Sequence, residues 1–312
     1  MSFVPVAAIL AALIFLPATP PGPVGGPVIR TEDVTRFFVV YDAAGGHPNA
    51  QQLQRDYLDK GSDGLHDFAK LRNITGARIA DNLAMHPGVY EQARRCAAVL
   101  PQARRRELAA LHRLRDVYPA AKFPPITVAI GRGKPAGVGS PVHGVMIGLE
   151  ALCGVTYFDA NLEDRFVHAI FHEYIHVQQV RALVDDEHPT VLEASLIEGA
   201  AEFMTELIAG GVSERGVWTK AAGREKEIEA AFIPDEDKKD VSAWLYNGTV
   251  DRPGDLGYWV GYRIVKAYYE HARDKRRAIR EILEMNDPKA FLAKSGWHPG
   301  MKLGPAALPK PS

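Results

Sequence analysis

The chain has 312 residues, of which 46% are hydrophobic and 24% charged, ordinary proportions for a globular chain that can bury a core. Its 37 basic and 38 acidic side chains leave a formal charge of −1, so it lacks the basic balance that nucleic-acid binding favours, and no nucleic-acid partner is expected. Two cysteines, Cys96 and Cys153, lie far apart and form no CxxC pair, which gives no support to a cysteine-based zinc site; one disulfide in an exported protein and two buried thiols both fit.

Residues Phe3 to Leu16 are apolar and uncharged, and a Pro/Gly-rich stretch follows over 17–27. The run is shorter than the ~20 residues of a membrane span. It has the length of a signal-peptide core, with Ala18 near a cleavage point, although no Lys or Arg precedes it. Export to the periplasm or the outside is the first reading, an uncleaved anchor the second and a buried helix the third. The mature chain is then expected to hold no stable membrane span. Residues 1–27 are set apart as signal and linker, 28–295 as one catalytic domain, and 296–312 as a flexible tail.

From Val28 to about Tyr118 the pattern is mostly helical. Val34, Phe37, Phe38 and Tyr41 recur at helical spacing, as do Leu108, Leu111 and Leu114. Arg104-Arg105-Arg106 in this region, and Lys275-Arg276-Arg277 later, read as solvated helix faces. Ile126 to Ile130 reads as a strand, and so does Val145 to Leu149. The glycine-rich stretch between them lacks the phosphate-loop pattern and reads as a hairpin-like connection.

Asn161 to about Val180 is predicted helical, with Asn161 as N-cap and Glu163 and Asp164 in the first turn. A second helix starts at the cap Thr190 and closes at Gly210-Gly211. The charged stretch 221–240 is expected to be exposed. Residues 256–273 form a further amphipathic helix, and 277–285 a shorter one.

The first of these helices contains His172-Glu173-Tyr174-Ile175-His176, an HExxH motif. Residues four apart share a helix face, about 5.4 Å apart along the axis. Two imidazoles so placed can bind one zinc ion. Glu173 projects to the side of the pair, where a carboxylate can take a proton from a metal-activated water. The apolar neighbours Ile170, Phe171, Tyr174, Ile175 and Val177 imply a half-buried helix, in which such polar groups need partners.

A third protein ligand is commonly required. The longer HExxHxxGxxH pattern fails, because Gln179 and Ala182 occupy its glycine and second-histidine positions. The candidates are His188, Glu193, Glu198 and Glu202. In Glu198-Gly199-Ala200-Ala201-Glu202-Phe203, Gly199 allows the active helix and its successor to approach closely. Glu198 beside it is the favoured ligand. Glu202, one turn on, is placed to orient a ligating histidine from behind.

HEYIH followed by EGAAEF resembles the glutamate-zincin (gluzincin) pattern. More closely, the chain resembles a family of predicted zinc-dependent proteases catalogued as a domain of unknown function. Three blocks carry this likeness: Ile130–Gly133, FHEYIHVQQ with LIEGAAEF, and GYWVGYRIVKAYYE at 257–270. The resemblance implies a zincin-like α+β fold, mainly α, with a small β-sheet packed against the HExxH helix and an edge strand able to hold an extended substrate. It also implies a downstream tyrosine that donates to the oxyanion. Tyr262 is the favoured candidate and Tyr258 the second, against core packing for both.

The expected activity is therefore a zinc-dependent metallopeptidase. His172, His176 and Glu198 would hold Zn2+, Glu173 would act as general base, and the substrate would be a peptide or protein. A non-catalytic binding protein on the same fold, and a zinc hydrolase of a non-peptide amide or ester, are the alternatives.

Overall fold

The computed structural model describes residues 27–134, 136–155, 158–249 and 254–309. The export-signal reading falls on residues 1–26 and lies outside them. Four strands form, β1 (Ile29–Arg30), β2 (Ile126–Ala129), β3 (Gly137–Ser140) and β4 (Gly144–Gly148), of which β2 and β4 are short runs rich in β-branched residues. They make one sheet in the order β1-β2-β4-β3. β1, β2 and β4 are parallel, with Ile126 opposite Val145, whereas β3 runs antiparallel to β4, with Gly139 opposite Val145. β2 and β4 are buried throughout, as parallel strands covered on both faces are.

The glycine-rich stretch differs from its expected form. It does not join β2 and β4 as a hairpin; it contains β3, and the hairpin is β3–β4. Gly-Val-Gly-Ser offers one apolar side chain, too few for an alternation signal. β1, two residues long, is hidden for the same reason.

The amino-terminal half is helical as its periodicity requires. Val34, Phe37, Phe38 and Tyr41 are all buried on the helix Glu32–Ala43. Leu111 and Leu114 are buried on the helix Leu100–Val117, where Leu108 is partly covered. Cys96 ends the helix Pro87–Cys96, and Cys153 lies on the short helix Leu149–Gly154 that follows β4. The two form a disulfide, with Cα atoms 6.3 Å apart.

Three helices carry the candidate site. The HExxH helix spans Leu162–Gln178, and Asn161 Oδ1 caps it by accepting from the Asp164 amide. It packs against β3 and β4 on one side and the helix Leu100–Val117 on another. The glutamate helix spans Val191–Ala209. Thr190 and Glu193 form a reciprocal capping box at its start, and Gly210, at φ 96°, closes it in the left-handed conformation that favours glycine. The aromatic helix spans Leu256–His271.

The close approach expected at Gly199 is made, but to a different helix. A Cβ on Gly199 would lie 2.1 Å from the Gly261 carbonyl carbon, and one on Gly261 would lie 1.7 Å from the Ser195 oxygen. Gly199 therefore faces the aromatic helix, with the two backbones in contact, and not the HExxH helix. The charged stretch 221–240 is only partly exposed: its helix Glu225–Phe232 buries Ile228, Glu229 and Phe232, and Glu229 pairs with Arg263. The predicted 277–285 helix spans Lys275–Leu283, and a further helix spans Pro288–Ser295. Past it, the Gly300 amide donates to Glu229 and Tyr269 donates to the Ala307 carbonyl. The architecture is mainly helical with a small mixed sheet. Among the described residues, no helix is long and apolar enough to cross a membrane.

Candidate metal centre

Two consecutive turns of the HExxH helix and one turn of the glutamate helix bring three donor atoms together. Nε2 of His172 lies 3.1 Å from Oε2 of Glu198. Nε2 of His176 lies 3.2 Å from both of those atoms. All three side chains are buried. In a tetrahedral zinc site with ligand bonds of ~2.0–2.1 Å, neighbouring ligand atoms stand ~3.3–3.4 Å apart. The observed triangle, with edges of 3.1–3.2 Å, is slightly tighter than that edge. The donor set itself, two imidazoles and one carboxylate, leaves room for a fourth position as catalytic zinc sites do. The residues present fit a zinc ion.

Each imidazole is fixed from behind. Glu202, fully buried, sets Oε1 3.0 Å from Nδ1 of His172. Its other oxygen accepts from the Ser213 amide at 2.8 Å, and the Ser213 hydroxyl donates to Oε1. Nδ1 of His176 meets the side-chain oxygen of Gln179 at 2.7 Å, and the amide nitrogen of Gln179 donates to the Ile197 carbonyl. A carboxylate or carbonyl oxygen against Nδ1 places the proton there and leaves the Nε2 lone pair facing the third ligand.

The charges are strongly coupled. Burial alone would raise the Glu198 carboxyl, but the His176 and His172 imidazoles hold it well below the usual range. Burial would likewise lower His172, yet the Glu202 and Glu198 carboxylates outweigh it and hold the imidazole well above its ordinary value. Such a cluster stabilises positive charge at its centre.

Glu173 is half-buried and faces β3. A Cβ on Gly137 would strike its side chain at 2.8 Å, and one on Gly139 its backbone carbonyl at 2.1 Å. The two glycines let the edge strand lie directly on the general-base candidate. A cleft of about 370 Å³ opens here, lined by Gly137, Val138, Gly139, His172, Glu173, His176, Glu198, Tyr246 and Tyr258. A larger concavity, about 610 Å³, lies around His271 and Arg277. Its one imidazole is held by the Ser295 carbonyl, and it contains none of the three donors, so the chemistry points to the smaller cleft.

The tyrosines separate. Tyr258 lines the cleft, its ring stacked on His172 with centroids 6.0 Å apart. Tyr262 is not brought into the site. Its hydroxyl donates to Glu206 at 2.6 Å and accepts from Lys266 at 2.8 Å, and its ring packs on Phe203 and Trp218. The four-residue spacing that put both on one face also sets them a turn apart, and only one turn lies level with His172. Two further candidates leave the centre: Glu193 is the capping partner of Thr190, and His188 is exposed.

Tyr246 takes the position beside the ligands. Its hydroxyl donates to Oε1 of Glu198 at 3.0 Å, and the Glu198 charge pushes the phenol well above its ordinary range. It lies in a loop at φ 57°, uncommon for a bulky residue and typical of functional strain. The loop is clamped: Asp255 accepts from the amides of Asn247 and Gly248, and Asn247 accepts from the Asp255 amide. The Asn-Gly pair marks a turn in the sequence, but nothing local ties that turn to Glu198. Ser213 also escapes sequence reasoning, because its partner Glu202 lies on another element.

Residues 145–291 match the model of a family described as "Predicted Zn-dependent protease (DUF2268)". No curated protein and no solved structure matches the chain. The matched span takes in β4 and all three site helices, and leaves the Ile130–Gly133 block outside it. Over residues 145–291 the chain is thus similar to a family of predicted zinc-dependent proteases, catalogued as a domain of unknown function.

Proposed function

We propose that this protein is a zinc metallopeptidase of zincin-like fold, with His172, His176 and Glu198 as the metal ligands. The observation that carries the reading is the convergence of three buried donors at 3.1–3.2 Å with Glu173 beside them. Zinc, when bound, supplies Lewis acidity that makes water a nucleophile at neutral pH and polarises a carbonyl.

The chain's own residues do the rest. Glu173 takes the proton of the attacking water and hands it to the leaving amine. Tyr246 and Tyr258 flank the same space, where a phenol can donate to the oxyanion that develops on the scissile carbonyl. The outer edge of β3 can pair with an extended peptide, and its two glycines bring that peptide against Glu173. Glu202 and Gln179 hold the imidazoles in orientation. Export is part of the proposal: the paired Cys96 and Cys153 suit an oxidising compartment.

Elemental analysis of purified protein after dialysis tests the metal assignment. About one zinc per chain is expected, lost in His172→Ala. Glu173→Gln should keep the zinc and lower peptide hydrolysis by about 10²- to 10⁴-fold. Full activity in Glu173→Gln would overturn the mechanism, and a folded protein that takes up no zinc would overturn the site.

A further inference from the structure

Beside the ligand set, sharing Gly137, His172, Glu173 and Tyr258 with the open cleft, lies a second cavity of about 80 Å³. Its walls include Gly137, Ile147, Phe158, His172, Glu173 and Glu214. A water occupies about 10–15 Å³ on the same measure, so the cavity admits the end of one side chain and no large ring. It touches both the general-base candidate and a ligand imidazole, so whatever fills it belongs to a group attached next to the reacting bond.

Glu214 is the unexplained member. It is 8% exposed, and among the described residues its Oε2 has no hydrogen-bond partner. Burial pushes its carboxyl well above the usual range, the charges of Asp255, Glu202 and Glu198 add to the rise, and only His172 opposes. A buried acid in an otherwise acidic neighbourhood is costly unless something pairs with it. Glu202 and Glu198, equally buried, have their partners within the protein. Glu214 has an open cavity in front of it instead.

We propose that Glu214 is a specificity-determining residue that pairs with a cationic nitrogen of the substrate, an ammonium or guanidinium adjacent to the scissile peptide bond. The inference rests on the peptidase reading. Two sources offer this chemistry, a basic side chain and a free amino terminus. The apolar wall formed by Ile147 and Phe158 suits the methylene stem of a lysine, with the charged end reaching Glu214.

The test uses one peptide series with Lys, Arg or norleucine placed on either side of the cleaved bond, each with a free or an acetylated amino terminus. Lysine should exceed norleucine in kcat/KM by roughly 30-fold or more, in acetylated peptides as well as free ones. The difference should vanish in Glu214→Gln, with zinc content unchanged. Affinity of the same peptides for zinc-loaded Glu173→Gln, measured by calorimetry, gives a second readout that needs no turnover. A preference confined to free amino termini would assign the cavity to the terminal amine. Equal handling of lysine and norleucine by the wild-type protein, or a preference that survives Glu214→Gln, would overturn the inference. Absence of all cleavage would overturn the peptidase reading, and the binding comparison would still decide the role of Glu214.

Discussion

The HExxH helix holds two buried polar regions, one turn apart, that are built in opposite ways. Around His172 and His176 each imidazole nitrogen and each oxygen of Glu198 and Glu202 meets a partner. At His168 neither ring nitrogen has one among the described residues. Neither does either oxygen of Glu107, which sits on the helix packed alongside. Partnered groups hold a geometry, as a metal site requires. The unpartnered His168 and Glu107 cost stability, and they leave that cost in the dependence of stability on pH.

The comparison breaks most visibly at Glu202. Replacing it with alanine frees Nδ1 of His172 and should weaken zinc binding by about 10- to 100-fold. Competition with a chelating dye measures this, and unchanged affinity would mean that the carboxylate does not orient the ligand. Glu107→Leu should act in the other direction. It removes two unsatisfied oxygens and should stabilise the fold by about 1–3 kcal/mol near pH 8. Burial holds the Glu107 carboxyl well above its ordinary value. Below the unfolded-state value both states keep the proton; above it the unfolded chain ionises first, and the wild type loses stability as pH rises. The gain in the variant should therefore grow from pH 4.5 to pH 8 in thermal unfolding, and a gain that is flat across that range would refute the buried-acid account.

His168 should give the smallest effect, with the opposite sign in pH. Burial lowers its imidazole below the ordinary value. As pH falls below about 6.5 the unfolded chain takes up a proton that the folded chain refuses, and stability drops. His168→Leu should reduce the slope of stability against pH between pH 6.5 and 5 by up to about 1.4 kcal/mol per unit. An unaltered slope would show that another group controls acid stability.

What could be read from the sequence was what a helix encodes locally. His172, Glu173 and His176 lie within five consecutive positions of one helix, so their relation needs no tertiary information. The caps at Asn161 and Thr190 and the stop at Gly210 are equally local. Apart from Glu198 and Glu202, which the EG pattern marked, what depends on which element lies opposite was hidden. Gly199 was legible as a point of close approach, but not as a contact with Gly261. Tyr258 and Tyr262 were legible as one face, but their depth relative to His172 is set by how that contact docks the aromatic helix. Tyr246 reaches Glu198 only because a clamp of Asn247 and Asp255 turns its loop inward. β3 was hidden because glycines that serve contact with the HExxH helix carry no hydrophobic pattern.

The Cys96–Cys153 bond encloses β2, β3, β4 and the glycine-rich stretch in a covalent ring. A chain that meets a protease is exposed to nicking wherever its backbone loops outward. Any single cut between residues 97 and 152 opens that ring without separating its ends. The nicked protein would run as one band without reductant and as two with it, and β3 would stay tethered to the centre it helps to build.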